Sequence, residues 1–360
     1  MSMWDFTIYH LKIIACQRRY IFKDKIWVIF NVFSYAFFGI PIFLFIIQSF
    51  KVITDVAEML LPFVIEFNVF IKICTFYSNR ETFYLLMEEM EEVRANRVNN
   101  FVVKYEMSRM EYYLNIFKVL YSRILIFAGT SFWLAPIIHT CIMKKFLGHD
   151  DFQRYMPIKA IYPFDMYATP YYEFLYFYIS YPIFLSIYGS GGVDIMFFEF
   201  CRALCDEFDI IQRAADTETE DKKILIGHHS KVLKVADQLV ALMEPIIFVQ
   251  FLIGSLTLCV VGFQLVMSDD FVQKFVVTFL GLSVTGQLFF YSLFAQLLAD
   301  YSTTAADFSF ALDTDYVLFI MRAQKSVVVK GGFYLATLET FNDIVSSAGS
   351  LIALMQSFVA

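Results

Sequence analysis

Seven stretches of this chain are each long and apolar enough to cross a lipid bilayer, and nothing else constrains its fold as tightly. They cover about 26–50, 54–77, 119–143, 172–200, 243–267, 275–299 and 331–358. A helix rises about 1.5 Å per residue, so roughly 20 residues cross the hydrocarbon. Lipid offers no partner to backbone N–H and C=O groups, which leaves the helix as the spanning form for such long runs. Composition agrees: 59% of residues are apolar and only 18% charged, with a mean hydropathy of +0.60. A soluble domain of 360 residues has no use for that much apolar surface. The expectation is an all-α polytopic membrane protein, one domain of seven transmembrane helices over 1–360 with the bilayer as its solvent.

The intervening segments alternate in length. The N-terminus, 78–118, 201–242 and 300–330 are long, whereas 51–53, 144–171 and 268–274 are shorter. Most Lys and Arg lie in the long set, which favours a cytoplasmic N-terminus and an extracellular C-terminus. That excess follows loop length, so charge alone leaves orientation open. The long segments are patterned. Residues 80–97 carry Phe83, Leu86, Met87, Met90 and Val93 on one side and glutamates on the other, an amphipathic helix. Residues 224–243 repeat the pattern with Leu225, Val232, Val235, Leu239 and Leu242. Cytoplasmic helical extensions are therefore expected over about 80–118, 201–242 and 300–330. The acidic run 216–221 reads as an exposed break. Asp5, His10 and Lys12 interrupt any apolar signal core, so the first span is expected to direct membrane insertion. No internal repeat appears, which disfavours an inverted-repeat transporter.

Catalytic signatures are missing: no His-Glu-x-x-His, no P-loop, no Gly-x-Ser-x-Gly. An enzyme, a cofactor and a bound metal are therefore not expected. The formal charge of −7 argues against a nucleic-acid partner. Six cysteines show no C-x-x-C spacing; Cys201 and Cys205, one turn apart beside three phenylalanines, read as a packing face. Gly189-Ser-Gly-Gly192 lies inside an apolar helix and reads as a flexible or closely packed point. His228 and His229 point about 100° apart on a helix, unsuited to chelating one ion, and read as capping or surface groups. Ionisable residues inside spans are functional candidates, and Glu66, Lys72, Arg123 and Asp343 qualify. Arg123 and Lys72 sit near span ends and can snorkel, which leaves Glu66 and Asp343.

The last span carries a pattern of its own. Asp343, Ser347, Ser350, Leu354 and Ser357 recur at steps of four and three, so they share one helix face. Ile344, Val345, Leu351, Ile352 and Met355 lie opposite. Two arrangements hide such a stripe in a membrane: a water-lined pore wall, or helix packing through small residues.

Four groups of residues carry a family likeness across most of the chain. Pro157, Tyr162-Pro-Phe-Asp165 and Pro170-Tyr-Tyr-Glu173 form the first. His228-His-Ser-Lys-Val-Leu233, with Pro245-Ile-Ile-Phe-Val-Gln-Phe-Leu-Ile-Gly-Ser255 and Cys259, form the second. Gly286-Gln-Leu288 with Ala299-Asp-Tyr301 is the third. Met321-Arg-Ala-Gln-Lys-Ser326, Phe333-Tyr-Leu-Ala-Thr-Leu-Glu-Thr-Phe341 and Ser350 complete the set. In this order they resemble the insect odorant receptors. Ala305 stands where members usually carry Trp, and Leu351 where an aromatic is common. The terminal signature of the sister gustatory receptors is absent.

The resemblance implies a heteromeric, odorant-gated, non-selective cation channel in the plasma membrane of olfactory neuron dendrites. It implies a cytoplasmic N-terminus and a heterotetramer with the co-receptor Orco. It also implies a small volatile odorant bound in the outer half of the bundle, where 60–67, 129–139, 174–181 and 279–283 are rich in aromatics. Phe63, Phe67, Trp133, Tyr178, Tyr181 and Phe279 are the expected walls of that site, with Ser131 or a tyrosine hydroxyl as its polar group; these rings equally suit a filled helical core. The pore would be lined by Asp343, Ser347, Ser350, Leu354, Ser357 and Phe358, with Leu354 and Phe358 at the family's gate positions. The alternatives are a gustatory-receptor-like channel or a G-protein-coupled receptor. Against the latter, 144–171 holds no cysteine to pair with Cys141, and neither Asp-Arg-Tyr nor Asn-Pro-x-x-Tyr occurs in place.

Overall fold

The computed structural model describes residues 3–14, 22–100, 109–147, 154–215, 222–304 and 321–359. Its helices are α1 (Asp5–Ile13), α2 (Phe22–Gln48), α3 (Ile53–Ser78), α4 (Arg80–Asn100), α5 (Arg109–Leu147), α6 (Tyr171–Ala215), α7 (Lys222–Met267), α8 (Phe271–Thr304) and α9 (Leu338–Val359). A two-residue hairpin, β1 (Lys330–Gly331) with β2 (Tyr334–Leu335), precedes α9. Among the described residues, six helices are long and apolar enough to cross a membrane: α2, α3, α5, α6, α7 and α8. Helix α9, with 22 residues, stands in the place of the seventh. Its serines, Asn342 and Asp343 lower its hydropathy below that of the other six.

In α6 and α7 the span and its extension form one continuous helix. Helix α6 has 45 residues and α7 has 46, so at about 1.5 Å per residue each is close to 70 Å long against a hydrocarbon layer of about 30 Å. Their excess length gathers with α4 at one end of the bundle, where the largest core forms. Phe83, Leu86, Met87, Met90 and Val93 of α4 are all buried in it, as the amphipathic pattern required. Phe200, Leu204 and Phe208 of α6 and Val232, Val235 and Leu239 of α7 belong to the same core. Burying such rows removes apolar surface from water at about 25 cal/mol per Å², which stabilises this end without help from lipid. Cys201 and Cys205 lie in the same core. Short α1 docks on α6, where Gly192 leaves room for His10 and Leu11.

Three expectations need correction. The final helix starts at Leu338, not at 331, because 331–337 form the hairpin and the turn after it. Gly332 has φ +56, the left-handed conformation that glycine adopts without steric cost. Gly331 seats on the backbone of Phe248, where a Cβ would collide. Second, His228 and His229 are not surface groups; they are 5% and 2% exposed, and His228 Nε2 lies 3.0 Å from Glu207 Oε2. Third, Lys72 does not snorkel, since it is fully buried and ion-paired. The acidic run 216–221 and residues 305–320 lie outside the described residues.

Candidate functional site

A cavity of about 110 Å³ lies between α2, α3, α5, α6, α7 and α8. Its wall is mostly aliphatic, with Ile65, Val69, Leu125, Ile183, Ile187 and Ile253 contributing. Small residues at close helix approaches make the space: Ala128 and Gly129 on α5, Gly254 on α7. An apolar cavity of roughly 150 Å³ holds a benzene ring, so this one has the scale of a small aromatic or short aliphatic molecule. A wider vestibule of about 370 Å³ shares Pro62, Phe132 and Leu280 with it. The segment 154–170 borders the vestibule through Tyr155, Met156, Pro157 and Lys159. Lys159 Nζ ties it to Asp55 and Glu58 of α3 at 2.9 and 2.7 Å. Partial burial opposes the charge on Lys159, but the two carboxylates outweigh it and raise its pKa.

Polar groups concentrate on one side of the cavity. Ser190 and Gln287 line it and both donate to Asp194, at 3.0 and 3.3 Å. Asp194 is fully buried. Its Oδ1 accepts from Lys72 Nζ at 2.7 Å and Tyr291 at 2.6 Å, and its Oδ2 accepts from Tyr121 at 2.7 Å. Four helices thus converge on one carboxylate. A buried ion pair is tolerable when further hydrogen bonds satisfy its remaining lone pairs. Next along, Gln250 Nε2 donates to Gln287 Oε1 at 3.4 Å, and Asn68 Nδ2 donates to Gln250 Oε1 at 3.0 Å. One turn from Ser190 on α6, Ser186 donates to Glu66 and pairs with Tyr35 at 2.9 Å.

The expected ligand residues fall around this cavity, and none of the seven lines it. Phe63 and Phe67 stack on each other, centroids 6.2 Å apart, along a neighbouring groove between α2 and α3. Trp133 Nε1 donates to the Tyr176 carbonyl at 3.0 Å and packs in the core around Phe38 and Ile158. Tyr178 pairs with Ser34 at 2.8 Å and Tyr181 with Asn31 at 2.5 Å, both fastening α6 to α2. Phe279 packs on Phe127 with centroids 5.2 Å apart. Ser131 is partly buried beside Phe132. Their chain neighbours Phe132 and Gly129 do line the cavity. Sequence reasoning passed over Asp194 and Glu199, although an acid inside the 172–200 span was a signal in plain view. Glu199 is held by Lys118 and Thr7, both at 2.6 Å.

On α9, Asp343, Ser347, Ser350, Leu354 and Ser357 are all exposed on this chain, with Leu354 at 53%. Ser350 and Ser357 donate to backbone carbonyls of their own helix. Ile344 and Ala348 are buried, and Ile352 packs against Gly262 of α7. Val345 and Leu351, expected on the dry face, are instead 36% and 37% exposed. The Phe358 side chain lies outside the described residues.

Long helices crossing a membrane, a cavity within their bundle and a last helix with one exposed polar face define a polytopic helical membrane protein. A sequence model described as 7tm Odorant receptor matches residues 52–349, and the chain belongs to that family of sensory receptors. Odorant receptor 9a of Drosophila melanogaster is 24% identical over 360 residues, covering 94% of this chain and 91% of that one. Odorant receptor 82a of the same organism is 25% identical, covering 80% of each. Among solved structures, the insect olfactory receptor OR5 from Machilis hrabei aligns with a TM-score of 0.76 at 13% identity, over 93% of this chain and 89% of that one. The same receptor in complex with eugenol aligns with a TM-score of 0.79, over 99% of this chain and all of the other. At that identity the likeness fixes the fold alone.

Proposed function

We propose that this chain is the odorant-binding subunit of a ligand-gated, non-selective cation channel in the plasma membrane, assembled as a heterotetramer with Orco and having a cytoplasmic N-terminus. The observation that carries the reading is the cavity of about 110 Å³, bounded by six helices and sharing wall residues with a wider vestibule, in a chain of the odorant receptor family. An aliphatic wall with a few placed polar groups suits a small volatile molecule; eugenol, bound by the Machilis receptor, is one such molecule. Phe63, Phe67, Ser131, Trp133, Tyr178, Tyr181 and Phe279 form a second ring that sets the shape of the wall. Asp343, Ser347, Ser350, Leu354, Ser357 and Phe358 face the pore, which α9 lines with its counterparts in the other subunits. An apolar Leu354 among hydroxyls gates by dewetting.

The test is co-expression in oocytes. Odorant-evoked cation current that requires the co-receptor and persists when G-protein signalling is blocked supports the reading. Robust current from this chain alone removes the co-receptor requirement, and a response abolished with the G protein returns the chain to the receptor alternative.

A further inference from the structure

Building on the cavity as the odorant site, we infer that it selects odorants that carry a hydroxyl, because the hydrogen-bond chain anchored on Asp194 leaves Asn68 Oδ1 as a buried, unpaired acceptor on a residue of its wall.

Side-chain amides present two faces, and which one points where is fixed only by their partners. Here a single carboxylate fixes all three. Asp194, paired with Lys72, can only accept, so Gln287 turns its NH₂ toward it. That leaves Gln287 Oε1 for Gln250, which must then offer its own NH₂. Gln250 Oε1 is thereby turned to Asn68, which spends its NH₂ there. Every donor points toward Asp194. The last group in the line is the Asn68 carbonyl oxygen, on a residue that is 7% exposed and lines the cavity. This oxygen is buried and has no hydrogen-bond partner among the described residues.

The other polar groups do not supply a competing preference. The lining hydroxyls each commit their one proton to the protein: Ser186 to Glu66, Ser190 to Asp194, Thr257 to the Ile253 carbonyl and Ser283 to the Phe279 carbonyl. Glu66, which also lines the cavity, adds further acceptor character. An alcohol or phenol with a small apolar body satisfies the buried oxygen; a hydrocarbon of equal size leaves it bare, and ethers, ketones and esters bring only acceptors. Because the bonds run in one direction, each polarises the next.

The experiment measures binding to the purified full chain in detergent micelles by ligand-dependent thermal stabilisation, so it needs no co-receptor. The probes are hydroxyl/methyl pairs of matched size: p-cresol and p-xylene, benzyl alcohol and ethylbenzene, 1-hexanol and heptane. The hydroxyl member of each pair is expected to bind about tenfold more tightly. Asn68→Leu should sharply reduce that preference, and continued binding of the methyl member shows that the variant is folded. Asn68→Asp keeps a carbonyl acceptor and should retain the preference. Equal affinities within pairs, no binding by any hydroxyl member, or a preference undiminished by Asn68→Leu would overturn the inference. Ala128→Phe separates it from the reading it rests on. If that plug blocks both members while their affinities are equal, the cavity stands and the hydroxyl class falls. If it affects neither, the cavity assignment falls as well.

Discussion

Lys72 Nζ lies 2.7 Å from Asp194 Oδ1, and neither side chain is exposed. The pair joins α3 to α6 at the floor of the cavity, with Tyr291 below the ammonium at 5.2 Å from its ring centre. Its partners lie 122 positions apart in the chain, so the pair is a property of the packed bundle alone.

Removing one member of such a pair strands the other. Lys72→Met should cost about 3–5 kcal/mol, the usual penalty for a bare buried charge. A marked fall in the melting temperature of the detergent-solubilised chain is the expected result. An unchanged melting temperature would mean that the pair does not close in the folded protein.

Widening the cavity should change which odorants fit. Ile187→Ala removes three carbons from the wall and should move the preferred ligand to a larger one by about that many heavy atoms. Leaving the new space empty costs binding energy. Dose–response curves on channels with the co-receptor read this directly.

The second ring makes a separate prediction. Trp133→Ala and Tyr178→Ala remove the supports of α5 against α6 and of α6 against α2. Both should alter the odorant rank order and the half-maximal doses. If both leave them unchanged, the ring has no part in the site.

For the final helix, Leu354→Ser should raise resting conductance in co-receptor channels by hydrating the constriction. Cysteines at Ser350 and Ser357 should react with water-soluble thiol reagents and alter the current. A cysteine at Ile352, packed on Gly262, should react far more slowly. Equal labelling of the two faces would reduce α9 to ordinary packing.

Acid should loosen the docking of α1. His10 is held by the Phe6 carbonyl at 3.0 Å on Nδ1 and by Ser122 at 3.1 Å on Nε2. Burial, only partly offset by the Phe6 bond, lowers its pKa from the usual value of 6.5. Below that value the unfolded chain binds the proton more readily than the folded one, so stability falls as pH drops toward the folded pKa. His10→Gln should flatten that part of the stability–pH curve measured in micelles. An identical slope in the variant would remove His10 as its origin.

Much of the architecture was legible because lipid imposes a simple rule on length and polarity. The α4 face could be read from spacing alone, since amphipathic periodicity is local. Lys72 was misread for the opposite reason: snorkelling depends on distance to the span end, but its partner sits on another helix and leaves no local mark. His228 was misjudged in the same way, with Glu207 invisible from its own stretch of chain. The cavity escaped by a single step of helix phase. Aromatic density pointed to Trp133, yet a turn of 100° per residue places Phe132 and Gly129 on the inner side. The start of α9 was set too early because glycine, phenylalanine and leucine at 331–335 satisfy a hydropathy window whether they form a helix or a hairpin.

The seat of Gly331 on the Phe248 backbone has a mechanical consequence. It ties the start of α9 to α7, two residues from Gln250, while farther along Ile352 packs on Gly262 of the same helix. At about 1.5 Å per residue, Leu354 lies roughly 24 Å along the axis from Leu338 and Asp343 only about 8 Å. A tilt of about 5° at the pivot therefore carries Leu354 sideways by about 2 Å and Asp343 by about 0.6 Å. Pivoted there, the helix would act as a lever with Leu354, its one large apolar side chain on the polar face, near the tip.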